Sequence, residues 1–253
     1  MGEARVVLDG LVFGESVRWH AGRVWFCDWG AGQVVRVVDG RAEVVARVDD
    51  FPFCVDWLPD GRMLTITGRG VLLRDGTPFA ALESPYPWND IAVDRHGNAF
   101  VNNIGYAFGV GEPAPGTISV VTPDGASREV AAGLEFPNGM AVLGDTLIVA
   151  ESHASRLSAF TIAADGTLSS RRIWATVDES APDGIFPDPS GAIWYADVPN
   201  KECTLVREGG EVIRRIPFDR GAFDCALAGN TLYAVIAHYP SDSPSGRLVA
   251  VDL

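Results

Sequence analysis

Basic clusters, paired cysteines, long apolar runs and helical periodicity are all scarce in this 253-residue chain. The formal net charge is −13, and no cluster of Lys and Arg interrupts the acidity. Nucleic acid and anionic membrane both require a cationic footprint, so neither is an expected partner. No stretch approaches the ~18 apolar residues of a membrane-spanning helix. Residues 1–14 hold no basic segment followed by an apolar run, so a cytoplasmic location is expected rather than secretion. Cys27, Cys54, Cys203 and Cys225 are far apart and form no CxxC pair. Buried free thiols in a reducing compartment suit them better than a disulfide framework or a zinc site. Apolar residues seldom recur at helical spacing, so very little α-helix is expected. No GxSxG elbow, HExxH helix, phosphate loop or dinucleotide fingerprint is present either.

What the chain does have is repetition marked by glycine. Gly22, Gly61, Gly97, Gly144, Gly191 and Gly229 each precede a short apolar or aromatic run, for example Val24-Trp25-Phe26-Cys27 and Ile193-Trp194-Tyr195-Ala196. The six glycines lie 36 to 47 residues apart. That is the period of a propeller blade, and each interval holds further short strand-like runs. The fold expected is all-β, a single six-bladed β-propeller over residues 1–253 with four antiparallel strands per blade. With 47% apolar residues the chain can fill such a core. The strand Arg5–Leu8 would either begin the first blade or close the ring against Arg247–Val251.

A second regularity is chemical. Upstream of each turn glycine, at the start of each first strand, stand Glu15, Cys54, Asn89, Asn138, Asp183 and Asp224 or its neighbour Phe223. First strands line the central channel of a propeller, so these positions would converge at one mouth. Oxygen-only donors there suit a hard cation. The competing reading is that Asn138-Gly139 and Asp183-Gly184 are simply turn pairs. Glu15 is no turn former, and four such residues at one phase of a six-fold repeat favour a site.

In an antiparallel blade, the loops after the second strands share that face. They carry Asn103 and Tyr106, His153, and His238, with the longest loop running past Phe108 to Pro115. A loop this long over a site suits a lid or a specificity element. His153 and His238 are candidate proton carriers or loop supports.

Gly14-Glu15-Ser16, Trp88-Asn89-Asp90, Pro137-Asn138-Gly139 and Pro182-Asp183-Gly184, in this order through nearly the whole chain, resemble the markers of the regucalcin/gluconolactonase family. The resemblance implies one divalent cation, usually calcium, with zinc, manganese or magnesium as alternatives. It implies Glu15, Asn138 and Asp183 as the metal ligands and Asp183 as the acid/base residue. Asn89 would contact the substrate or a water on the metal, with Trp88, Asn103, Tyr106, His153 and His238 around it. The implied activity is hydrolysis of a lactone or related cyclic ester. Where sugar-lactonase relatives can carry an arginine, this chain has Pro87 between Tyr86 and Trp88. Aromatic neighbours favour a flatter, more apolar substrate over a sugar acid. Two alternatives remain at the same position: phosphoester hydrolysis or biosynthetic ring opening, and a non-enzymatic propeller with a structural ion.

Overall fold

The computed structural model describes residues 4–241 and 243–253. Among the described residues, twenty-four strands form six four-stranded antiparallel sheets, five of them simple meanders, arranged as the blades of a propeller. The inner strands of blades 1 to 6 are Gly14–His20, Phe53–Trp57, Trp88–Val93, Pro137–Leu143, Pro182–Pro187 and Gly221–Ala228. The ring is closed by the N-terminal strand Arg5–Leu11, which pairs with Gly246–Asp252 as the outermost strand of blade 6. Arg5 stands opposite Ala250 and Val6 opposite Val249. Closure therefore joins the two chain ends, and this strand does not begin blade 1. Among the described residues the only helical segment is a three-residue 3-10 turn, Ser152–Ala154.

The sequence forms this ring because each blade is covered on both faces by its neighbours. The second strands Ala99–Asn103 and Ile193–Asp197 are buried at every position, whereas the outer strand Arg41–Arg47 is exposed at nearly every one. Interior strands consequently read as continuous apolar runs instead of alternating ones. Phe26, Phe100, Ile148 and Trp194 are fully buried between blades, and each such side chain contributes roughly 1.5–3 kcal/mol of burial. All six repeated glycines adopt a left-handed φ, between 60° and 86°. That conformation costs other residues energy, which explains why glycine marks every hairpin.

One irregularity positions the chemistry. In blades 1, 3, 4, 5 and 6 the inner strand slips register against the second strand, between Glu15 and Arg18, Trp88 and Ile91, Pro137 and Met140, Pro182 and Ile185, and Ala222 and Asp224. A bulge of this kind bends the strand and re-aims side chains. Blade 2 alone pairs without a slip, from Phe53 opposite Thr67 to Trp57 opposite Met63.

Candidate metal centre and channel mouth

The bulges place Asn89, Asn138 and Asp183 at the same step of their strands, immediately after Trp88, Pro137 and Pro182. Glu15 follows Gly14 in the same way. The pairing corrects the sixth member: Ala222 follows Gly221 at this step, and Asp224 lies two residues further along the channel. It also removes the turn reading of Asn138-Gly139 and Asp183-Gly184, which sit inside strands. Their glycines serve close approach. A Cβ on Gly139 would meet the Asp183 carbonyl oxygen at 2.6 Å, and one on Gly184 would meet the Asp224 carboxylate at 2.0 Å.

The amides are linked. Asn89 Nδ2 donates to Asn138 Oδ1 at 3.1 Å, and Asn138 Nδ2 donates to Ser152 Oγ at 3.3 Å. Ser152 Oγ donates in turn to the Pro182 carbonyl at 2.7 Å, tying blade 4 to the strand that carries Asp183. Beside Glu15, Ser16 holds a left-handed φ of 51°, a conformation costly for a non-glycine residue and maintained here by its surroundings. Its hydroxyl accepts the Val55 amide of blade 2 at 3.1 Å.

Glu15 and Asp183 are carboxylates without a cationic partner. Burial raises the Glu15 carboxyl well above its usual range, and the charges of Asp183 and Asp224 add to the rise. Burial, with Asp224 and Asp90, does the same to Asp183. The one arginine in the channel, Arg18, is already committed. It donates to Asp90 at 2.7 Å and to Asp224 at 3.1 Å, in nearly complete burial. Burial opposes its charge, but Asp90, Asp224 and Asp56 hold it firmly cationic. Burial pushes Asp224 up to about 7 despite Arg18, and Asp56 up to about 6. Asp90 and Asp224 also accept the backbone amides of Met140 and Val17, so this cluster fastens blades 1, 3, 4 and 6 together. Sequence reasoning missed Arg18, Asp56 and Asp90. Their signal was three charged residues close behind the channel positions of blades 1, 2 and 3.

The donor chemistry fits a divalent cation. Two mutually repelling carboxylates, Glu15 buried and Asp183 half-buried, and neighbouring amide oxygens offer hard oxygen ligands only, which suit calcium, magnesium or manganese better than zinc. Among the described residues no three His, Cys, Asp or Glu side chains converge as a metal cluster.

The other expected residues lie at varying distance from this centre. Trp88 is buried between blades 2 and 3 among Leu72, Leu82 and Ile91. Asn103 is turned to its own loop, donating to Thr117 Oγ1 and accepting from the Gly105 amide. Both residues line a surface groove with Tyr86 and Pro115, separate from the carboxylates. Tyr106 is buried against Phe136 and His153, with ring centroids 6.0 and 6.2 Å away. His153 and His238 are exposed, and among the described residues neither imidazole hydrogen-bonds to Glu15 or Asp183. All four cysteines are buried and free. Among the described residues no helix is long and apolar enough to cross a membrane.

Comparison with known proteins follows the same lines. The model of the SMP-30/gluconolactonase/LRE-like region matches residues 13–238. A calcium-binding regucalcin from Agrobacterium tumefaciens is similar in structure, with a TM-score of 0.83 at 18% identity over 99% of this chain and 93% of that one. A luciferin-regenerating enzyme gives 0.82 at 17% identity, covering 100% and 96%. A gluconolactonase from Xanthomonas campestris gives 0.78 at 23% identity, covering 99% and 90%. At these identities the structural likeness shows the fold. No curated protein sequence matches the chain. The family model spans most of the chain, including every bulged strand, and the chain belongs to the SMP-30/gluconolactonase/LRE-like family.

Proposed function

We propose that this chain is a divalent-cation-dependent hydrolase that opens a lactone or a related cyclic ester. The observation that carries the reading is the pair of carboxylates without a cationic partner, Glu15 buried and Asp183 half-buried, at equivalent strand positions with Asn89 and Asn138 around one channel mouth. Relatives named for calcium binding and for gluconolactonase activity support it.

Glu15, Asn138 and Asp183 would hold the cation. When bound, a cation at this position supplies Lewis acidity toward the ester carbonyl and its developing oxyanion. Asp183 accepts the proton of the attacking water as the new C–O bond forms. It returns that proton to the ring oxygen as the ring C–O bond breaks, which leaves a hydroxy acid. Asn89, anchored on Asn138, presents its amide to the substrate. The substrate is a small molecule, and the protein acts in the cytoplasm.

The test is hydrolysis of aliphatic, aromatic and sugar-derived lactones by chelator-treated protein, with and without added calcium, manganese or zinc. Metal-restored turnover supports the proposal. Absence of turnover across the panel, with calcium shown to bind by calorimetry, refutes it in favour of a structural ion or non-lactone chemistry.

A further inference from the structure

The three Phe, Tyr or Trp side chains more than half exposed among the described residues are Phe51, Phe108 and Tyr239, at 60, 60 and 54%. All three lie in loops at the end of the propeller where the inner strands begin, the end that holds Glu15, Asn138 and Asp183. Phe51 joins blades 1 and 2, Phe108 follows the second strand of blade 3, and Tyr239 follows the second strand of blade 6.

These side chains continue into two aromatic walls. Over blades 2, 1 and 6, Phe51 packs on Trp29 at 5.2 Å, Trp29 on Phe13 at 5.7 Å, and Phe13 on Phe223 at 4.9 Å. Phe223 then packs on Tyr239 at 5.9 Å. Over blades 3 and 4, Phe136 holds Phe108 at 5.6 Å and His153 at 4.5 Å. The walls are tied to the site by the chain itself. Phe13 stands two residues before Glu15, Phe136 two before Asn138, and Phe223 next to Ala222, the blade 6 counterpart of Asp183. Blade 6 thus offers an apolar side where four other blades offer oxygen.

Most wall contacts are edge-to-face, with interplanar angles of 71° for Phe13–Phe223, 84° for Trp29–Phe51 and 79° for Phe223–Tyr239. The rings interlock instead of presenting open platforms for a sugar face. Their polar handles are few: phenylalanine has none, and the Trp29 indole N–H is spent on the Phe53 carbonyl. Arg18, the one guanidinium in the channel, is occupied by Asp90 and Asp224. Hydroxyl groups pressed against these walls would lose water without gaining partners.

We infer that the walls select the substrate: the reacting ring carries an apolar, aromatic or alkyl substituent that packs against Phe13, Phe51 and Tyr239, backed by the buried Phe223, and polyhydroxylated lactones are disfavoured. The inference rests on the hydrolase reading for its reaction, but binding tests it separately. Calcium-loaded protein is titrated calorimetrically with γ-butyrolactam, its phenyl-substituted form and a polyhydroxylated lactam, none of which is hydrolysed. The matching lactones are assayed for kcat/KM. The phenyl lactam is expected to bind at least ~10-fold tighter than either companion, and Phe51→Ser with Tyr239→Ser is expected to erase most of that ratio. Both side chains are exposed, so the double variant should keep its melting temperature. A hydroxylated lactam binding as tightly as the phenyl form, or a ratio untouched by the double variant, overturns the inference. Turnover that favours the sugar lactone also overturns it and leaves the hydrolase reading standing. The phenyl preference in binding with no turnover of any lactone removes the hydrolase reading and leaves the walls.

Discussion

Replacing Arg18 with Met tests whether the channel is held together by its single cation. The guanidinium contacts Asp90 at 2.7 Å and Asp224 at 3.1 Å, with the three side chains only 11, 9 and 3% exposed. Methionine keeps the apolar stem and removes the charge, so two carboxylates are left facing Asp56, Asp183 and Glu15 with nothing opposite. Breaking a buried pair from one side costs about 3–5 kcal/mol. A chain of this length loses roughly 2–4 °C per kcal/mol, so the melting temperature in chelator should fall by about 6–20 °C. Arg18→Lys keeps the charge but lacks the fork that reaches both partners, and it should fall in between. Asp90→Asn in the Arg18→Met background removes one stranded charge while its remaining oxygen can still accept the Met140 amide. The double variant should therefore be less destabilised than the two single losses added together. The measurements are thermal and urea unfolding, in EDTA, of the parent, both Arg18 variants, Asp90→Asn alone and the double variant. If Arg18→Met melts within about 2 °C of the parent, the ion cluster does not hold the blades and the reasoning fails.

Other expectations follow from the same geometry. Gly184→Ala would drive a methyl into the Asp224 carboxylate at 2.0 Å; overpacking of this kind costs about 1–3 kcal/mol, read as a shift in the urea midpoint. Asp183→Ala should abolish calcium binding by calorimetry and lower lactone turnover by about 10²–10⁴-fold; near-parental turnover would remove Asp183 from the mechanism. Glu151 is fully buried, and although burial opposes its charge, Arg156, Ser158 and the Glu135 amide hold its carboxyl down at about 2. Its folded pKa is depressed, so its contribution, about 3 kcal/mol from that shift, is complete above the unfolded value of 4.5 and lost as pH falls toward 2. The urea-midpoint gap between parent and Glu151→Gln should accordingly be wide at neutral pH and close steadily below pH 4.5; a gap constant with pH would contradict this assignment.

The ring was legible in the sequence because its repeat is local. Gly22, Gly61, Gly97, Gly144, Gly191 and Gly229 mark hairpins through their left-handed φ, and a hairpin needs only its own residues to be recognised. Closure by Arg5–Leu11 was legible only as one of two options, since pairing across 235 to 245 positions leaves no local trace. The donor residues could be aligned from the repeat, except in blade 6. There Ala222 stands at the donor step and the slip follows it, and counting back from Gly229 cannot show where a register slips. Arg18 and Asp90 were invisible as a pair because their contact joins blades 1 and 3, 72 residues apart. The aromatic walls were glimpsed only at Tyr106 and Phe108. Phe13, Phe136 and Phe223 each look like a core residue in sequence, and only the ring's geometry brings them to a common rim.

Blade 2 explains why the site has the side it has. Its inner strand pairs without a slip, so Cys54 stands opposite Ile66 and is buried with Ile66, Leu72 and Trp88 between blades. Burial, together with the nearby Asp90 and Cys27, pushes its thiol well up, which makes it a poor metal ligand and a good core filler. In blades 3, 4 and 5 the donor residue falls within the bulge, in blade 1 Glu15 stands just before it, and blade 2 has none. Blade 6 has the bulge but spends it on Ala222 and Phe223. The two blades without an oxygen donor flank blade 1, and the aromatic wall from Phe51 to Tyr239 runs over these three blades. Asn89, Asn138 and Asp183 on blades 3 to 5 therefore face the longer aromatic wall across the mouth, with Glu15 set into it, while Phe108 and Phe136 rim blades 3 and 4. An enzyme built for a substrate that is polar all round would have little use for that asymmetry, whereas a cyclic ester with one reactive edge and one apolar edge matches both halves of the mouth.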